Sequence, residues 1–361
     1  MTGKPKRRYV YGDTQKAVRD QVRELIGQVE NGTLTEPTKI VFGEWLRTWI
    51  QDYMKPALRQ TTWESYHTQV EKHLLPSLGH IPLRQVQTAH LQRLYNDKLQ
   101  GGRADGKQGG LSPTSVRYIH AVAHGALEQA LQEGLIVRNP AKAVRLPQKV
   151  KKQMRTLDGA GVSAFLSQAR QTRYYAAFLL ELATGLRRGE LLGLRWQDID
   201  FDAGTLRVEQ QLVLTRDGIA FQAPKTPLSR RTIGIPETAV KQLRVHRRES
   251  AQEKLLLGDL YDDCGLVFAH EDGRPVNPRA FTRVFERVVR RAGLPRMAFH
   301  DLRHTFATLS LQEGVSVRTI QETLGHHAAS FTMTTYAHVT DSMRREATDK
   351  IGRLLESYNA S

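Results

Sequence analysis

The stretch AFHDLRHTFATLSLQEG (298–314), followed after Val315 by SVRTIQETLGHHAASFTMTTYAHV (316–339), decides how the chain is read. His300 and Arg303 lie three residues apart, which on a helix puts both on one face. Gly314 ends that pattern, and a second short helix closes at Leu324-Gly325-His326. Beyond His326, in a polar, threonine-rich segment, stands Tyr336. A guanidinium, two imidazoles and a phenol at these spacings are suited to holding a phosphodiester while a phenol attacks it. Arginine binds phosphate oxygens bidentately and stays charged at any working pH. Histidine moves protons near neutrality. A tyrosine oxygen is a competent covalent nucleophile. Such chemistry needs a second arginine, and ATGLRRGELLGLRW (183–196) supplies Arg187, with Glu190 one helical turn on.

Working outward, TGLRRGEL (184–191), PKTPLSRRTI (224–233), HDLRHTFA (300–307), LGHH (324–327) and Tyr336-Ala337-His338 resemble, in order and spacing, the tyrosine recombinases, or phage-type integrases. The resemblance implies a mainly α fold with a small antiparallel β-sheet: a helical core-binding domain and a mixed α+β catalytic domain forming a clamp around DNA. It implies that Tyr336 is the nucleophile and that Arg187 and Arg303 clamp the scissile phosphate, offsetting charge that grows in the transition state. Lys225 matches the general acid for the 5′-oxygen, His300 the proton acceptor for the phenol, and His326 a donor to phosphate. Glu190 matches the acidic residue that supports them. No metal, nucleotide or other cofactor is implied. The implied partners are double-stranded DNA, three further protomers in a homotetramer on paired sites, and accessory DNA-bending or directionality proteins.

Charge agrees with a nucleic-acid partner. The 361 residues carry 53 Lys and Arg against 37 Asp and Glu, a net +16, and basic surface releases counterions from a polyanion. No apolar run is long enough to span a membrane, and TGKPKRRYVYG (2–12) lacks the apolar region of a signal peptide. The single cysteine, Cys264, excludes an intramolecular disulfide and a CxxC zinc site and fits a reducing cytosol. With the resemblance to DNA recombinases, the expected location is cytoplasmic and nucleoid-associated.

Four segments are expected. Residues 1–36 form a basic extension with one short strand in RRYVYG and a helix from Thr14 to Glu30, a partial arm-binding domain by the resemblance. Residues 37–146 read as four helices of the core-binding domain. The first carries Phe42, Trp45, Leu46, Trp49, Ile50 and Tyr53 at helical spacing. The second runs from Thr61 to Leu75, ended by Pro76 and Gly79; the third and fourth are Thr88 to Leu99 and Ser112 to Glu133. Trp63 and Tyr66 read as core rather than base-stacking residues. GGRADGKQGG (101–110) is a loop. Residues 147–156 form a basic linker whose Lys149, Lys151, Lys152 and Arg155 are candidate DNA contacts, joined by Arg230. Residues 157–361 form the catalytic domain. In it Asp158 caps a helix, Tyr174 to Thr184 is buried, Gly189 to Trp196 is helical, and TLRVEQQLVL, IAFQAP and SRRTIGIP make one small sheet with Lys225 in a turn. Pro278 to Ala292 is a helix with five arginines, and residues 342–358 are a C-terminal helix.

Taken singly, each of these residues has a plainer reading: a core histidine, a solvated turn lysine, a packed tyrosine. Jointly they do not. His300-Asp301-x-x-His304 looks like a zinc helix pair, but it lacks the glutamate of HExxH and a third ligand at a family spacing. The same motifs and charge also fit a Xer-type dimer resolvase, a catalytically silent DNA-binding regulator or a type IB topoisomerase. Every catalytic position is filled, which disfavours a silent regulator. The LGHH-to-Tyr336 spacing and the helical N-terminal unit favour the recombinases over a topoisomerase. The basic N-terminal extension favours an integrase of a phage or mobile element over the Xer type.

Overall fold

A computed structural model describes residues 9–30, 40–101, 103, 106, 108–149, 154–224 and 229–325, and the structural statements below concern these. Lys151, Lys152, Lys225, His326, Tyr336 and the helix expected over 342–358 lie outside them. The chain divides into two compact units, Met1–Lys151 and Lys152–Ser361.

In the first unit, α1 (Gln15–Glu30) opens with the Thr14 hydroxyl accepting from the Ala17 N–H at 3.2 Å. The described part of the expected strand, Tyr9–Gly12, is not a strand. The helical bundle follows. Helix α2 (Phe42–Thr48) passes through a π-helical segment, Trp49–Met54, into α3 (Lys55–Ala57). Helix α4 (Gln60–Gln69) passes in the same way through Val70–Leu74 into α5 (Leu75–Leu78). Pro76 therefore does not end the second helix, contrary to expectation. A proline has no N–H to donate, and its ring crowds the carbonyl four residues back. Each π segment adds a residue to the turn just before Pro56 or Pro76, with Lys55 N–H reaching Ile50 O and Leu75 N–H reaching Val70 O. Both helices thus continue through their prolines.

Helices α6 (Thr88–Gln100) and α7 (Pro113–Gln132) complete the bundle, α7 starting where Ser112 accepts from Ser115 N–H. Phe42, Leu46, Trp49, Leu74, Leu91, Tyr95 and Ile119 lie in its core. Trp63 donates to Ile50 O at 2.9 Å and Tyr66 stacks on Trp49, so both support packing.

In the second unit, Asp158 accepts from Gly161 N–H at 2.8 Å and starts α8 (Gly159–Ala169). Helix α9 (Tyr175–Thr184) is almost wholly buried, and α10 (Arg188–Leu192) is shorter than expected, giving way to a 3-10 turn at Trp196–Asp198. The strands form two sheets rather than one. β1 (Ile199–Asp200), β2 (Thr205–Arg207) and β5 (Thr232–Gly234) make an antiparallel sheet in the order β1-β2-β5. β3 (Gln211–Thr215) and β4 (Gly218–Gln222) form a separate hairpin with Thr215 opposite Gly218. The continuous alternation of TLRVEQQLVL is cut at Val208–Gln210, where the Gln210 side chain donates to Gly193 O at 2.9 Å. That bond turns the chain from one sheet into the other.

Helices α11 (Glu237–Leu257), α12 (Pro278–Arg291), α13 (His300–Gln312) and α14 (Val317–Leu324) follow. The core joins α8, α9 and α12 through Phe165, Phe178, Phe281 and Phe285. Phe299, the residue before α13, packs edge-on against Phe281 at 5.2 Å and Phe285 at 5.4 Å. Such pairs contribute about 0.5–1.5 kcal/mol each beyond area burial. They fix the first residue of α13, which is His300.

Candidate active site

Arg187 precedes α10, and Glu190 reaches back to it as in a capping box. The Arg187 backbone N–H donates to Glu190 Oε2 at 3.0 Å, and its Nη1 donates to Oε1 at 2.8 Å. The same carboxylate accepts from Arg231, whose Nη1 and Nη2 reach Oε1 and Oε2 at 3.2 and 2.8 Å. Burial alone would raise the Glu190 carboxyl. The hydrogen bonds and charge of Arg231, then the charge of Arg187, outweigh it and hold the group below its usual value.

Arg303 enters from α13 and is 1% exposed. Its Nη1 donates to Gly185 O and its Nη2 to Leu324 O, both at 2.6 Å. Gly185 ends α9 at φ 61°, and a Cβ there would meet Leu324 Cδ2 at 2.6 Å and Phe306 Cδ1 at 2.7 Å. Only glycine both adopts that conformation and lets α13 and α14 approach it. Burial, then the like charge of Arg187, pull the Arg303 guanidinium below its usual value. It still carries its charge, because arginine does not deprotonate in proteins.

His300 is an exposed residue whose ring packs edge-on against His304, with ring centroids 4.9 Å apart. Burial, then His304, Arg303 and Arg187, push its imidazole down to about 4. At neutral pH it is therefore uncharged and able to accept a proton. Helix α13 is held at its start by Asp301, which accepts from Ala298 N–H at 2.7 Å. Thr305, on the same helix, accepts from Leu157 N–H at 3.1 Å.

Arg187, Glu190, His300 and Arg303 thus gather in one place. The described candidate DNA contacts bond elsewhere or face solvent. Lys149 is exposed, Arg155 donates to Arg296 O, and Arg230 is an exposed side chain 3.7 Å from Glu209. Two site residues escape sequence reading. Arg231 turns inward beside the outward Arg230; the period of two in β5, where Ile233 is buried and Thr232 exposed, carries that signal. Glu181 is fully buried on α9 with neither carboxylate oxygen hydrogen-bonded among the described residues. Its signal is a lone charge inside the apolar run AAFLLELA. Burial raises its carboxyl well above the usual value, against the opposing charge of Arg303.

Three arginines from separate segments, two of them on one buried carboxylate, with a neutral imidazole nearby, form an arrangement chemically suited to holding an anion, as phosphoryl transfer requires. The chain belongs to the phage integrase family of tyrosine recombinases: the family pattern matches residues 150–343, more than half its length, and the family's N-terminal SAM-like domain matches residues 41–99. A tyrosine recombinase XerC-like protein of Caldanaerobacter subterraneus is 28% identical, over 98% of this chain and 93% of that protein. The fold is shared with a Tn1549 transposon integrase solved in complex with a circular intermediate DNA (TM-score 0.72, 20% identity, 86% of this chain and 99% of that one). A lambda integrase tetramer bound to a Holliday junction also shares it (TM-score 0.60, 20% identity, 89% and 90%). No helix among the described residues is long and apolar enough to cross a membrane.

Proposed function

We propose that this chain is the integrase of a phage or other mobile element, cutting and rejoining double-stranded DNA at defined sites through a 3′-phosphotyrosyl intermediate. Tyr336 Oη attacks the scissile phosphorus while His300 takes the phenol proton. The bond to the 5′-oxygen breaks, and Lys225 gives that oxygen its proton. Arg187 and Arg303 hold the non-bridging oxygens, His326 adds a donor, and Glu190 orients Arg187. In the reverse step a 5′-hydroxyl attacks the phosphotyrosine, so the bond energy is kept and no cofactor is consumed. One observation carries this reading. Arg187 and Arg303, far apart in sequence, donate to the adjacent carbonyls Gly325 and Leu324, one and two residues before His326.

The DNA is gripped by residues 37–146 as a core-binding domain and by the catalytic domain from 157 onward, with the basic linker 147–156 on the phosphate backbone. The exposed arginines of α12, Arg279, Arg283, Arg287, Arg290 and Arg291, make no ion pair with a described residue and supply a basic face for the same duplex. Four protomers assemble on paired sites, and accessory DNA-bending or directionality proteins set the outcome. The test is trapping on a nicked suicide half-site with EDTA present. The parent protein gives a denaturation-resistant adduct and Tyr336→Phe gives none. Tight binding without an adduct would point instead to a regulatory DNA-binding protein.

A further inference from the structure

Arg231 plays no part in the reaction just described, yet it is among the most committed side chains in the site. It stands immediately before β5, its side chain 7% exposed. One edge of the guanidinium grips Glu190 with both Nη atoms, and Nη1 also reaches Ser229 O at 3.1 Å. From Nε it donates to Thr323 O at 2.5 Å. Arg303 takes the next carbonyl, Leu324, and Arg187 the one after, Gly325. Three successive carbonyls at the end of α14 are thus each held by an arginine from a different segment.

A helix C-terminus leaves carbonyls unpaired and carries roughly half a negative charge. The Gly325 cap, at φ 62°, sends its N–H to the Gln321 and Glu322 carbonyls, which leaves those of Thr323, Leu324 and Gly325 to other donors. All three of those donors are arginines, where neutral donors or water would serve. Two of them are the proposed phosphate ligands, and the third also shares the carboxylate that orients one of those two.

We propose that Arg231 is a positioning residue for recombination: by holding Glu190 on one side and the Thr323 carbonyl on the other, it sets where Arg187 presents its guanidinium and where the chain leaves α14 toward His326. This rests on the reading of Arg187 as a phosphate ligand. Arg231 touches neither DNA nor the reacting atoms; its contribution is geometric. A displacement of about 1 Å in such a site costs on the order of 100-fold in rate. Lysine is no substitute, because one ammonium cannot span a carboxylate and a carbonyl on opposite sides.

The experiment uses the full chain, saturating on a nicked suicide duplex, and follows adduct formation from pH 5.5 to 8.5. DNA affinity and thermal melting are recorded in parallel. Arg231→Gln is expected to slow cleavage in the bound complex by roughly 100-fold while leaving affinity nearly unchanged. It also gains an acid limb absent from the parent, because Glu190 stays buried but loses its principal cation. Glu190→Gln/Arg231→Gln removes that limb and is no slower than Arg231→Gln, since the two residues act as one unit. Arg231→Lys, which keeps the charge if the glutamine variant fails to fold, is also slow. A parent-like rate for Arg231→Lys would overturn the proposal. So would a loss explained wholly by affinity, or a loss equal at every pH and matched by the fall in folded protein. Arg187→Gln separates the two levels of reasoning. If it cleaves like the parent, the phosphate reading itself fails; if it is dead while Arg231→Gln is normal, only the positioning role fails.

Discussion

Glu190→Gln keeps the shape of the side chain and removes its charge, so its effect can be worked from the hydrogen bonds it makes. Four of them reach the carboxylate: two from Arg187 and two from Arg231. An amide turns one acceptor into a donor that faces guanidinium donors, so about half of these bonds are lost. Bonds to charged groups contribute about 1.5–3 kcal/mol each. The Arg187 share is discounted because that side chain is 37% exposed and recovers water. Arg231, 7% exposed, does not, and a buried charge stripped of its partner costs about 3–5 kcal/mol. The expected loss at pH 7 is therefore about 3–4 kcal/mol, or roughly 6–16 °C in melting temperature for a unit of this size.

The pH dependence follows from the direction of the Glu190 shift. Its folded value is depressed, so its stabilisation is fully present above the unfolded value near 4.5 and fades as pH falls through the folded value. The gap between parent and variant should be constant from pH 6 to 8 and close in acid. Urea unfolding of both proteins across that range measures it. A gap below about 1 kcal/mol at pH 7, or one that widens in acid, would refute the reasoning.

Three further outcomes are expected. Glu181→Met removes a buried carboxyl with no hydrogen bond. Because that group's folded value is raised, its cost grows as pH rises through it, so the variant should be more stable by about 1–3 kcal/mol at pH 8 and gain little near pH 4, as read by urea unfolding. The His300 imidazole, followed by proton NMR in the free protein, should titrate near 4; a midpoint at or above 6.5 would remove the neutral proton acceptor from the account. Replacing Arg279, Arg283 and Arg287 together by glutamine should flatten the salt dependence of DNA affinity by about 0.9 in log–log slope for each phosphate the helix no longer neutralises, and an unchanged slope would take α12 off the DNA.

Local periodicity carried most of what the sequence made legible. The three-residue step from His300 to Arg303, with Gly314 and Gly325 as stops, matches α13 and α14 because glycine is the residue that tolerates a left-handed helix end. What escaped depended on neighbours remote in the chain. Pro76 reads as a helix stop, yet one π turn lets the helix pass it. An unbroken alternation reads as one strand, yet Gln210 bonds to Gly193 and divides it between two sheets. Arg230 and Arg231 are the same residue type, and the inward turn of one is set by the register of β5 on β2. Glu181 sits in a sequence that fits an ordinary buried helix, and its proximity to Arg303 arises only when α9 packs on α13. Lys225, His326 and Tyr336 lie outside the described residues, so their roles rest on the motif and the proposal together.

The central claim is the identity of the covalent bond. The most direct measurement is mass spectrometry of the trapped protein–DNA adduct after protease and nuclease digestion. The account predicts a nucleotide joined through its 3′-phosphate to the peptide containing Tyr336, on the phenolic oxygen. A nucleotide on any other residue, or a link through a 5′-phosphate, would contradict it.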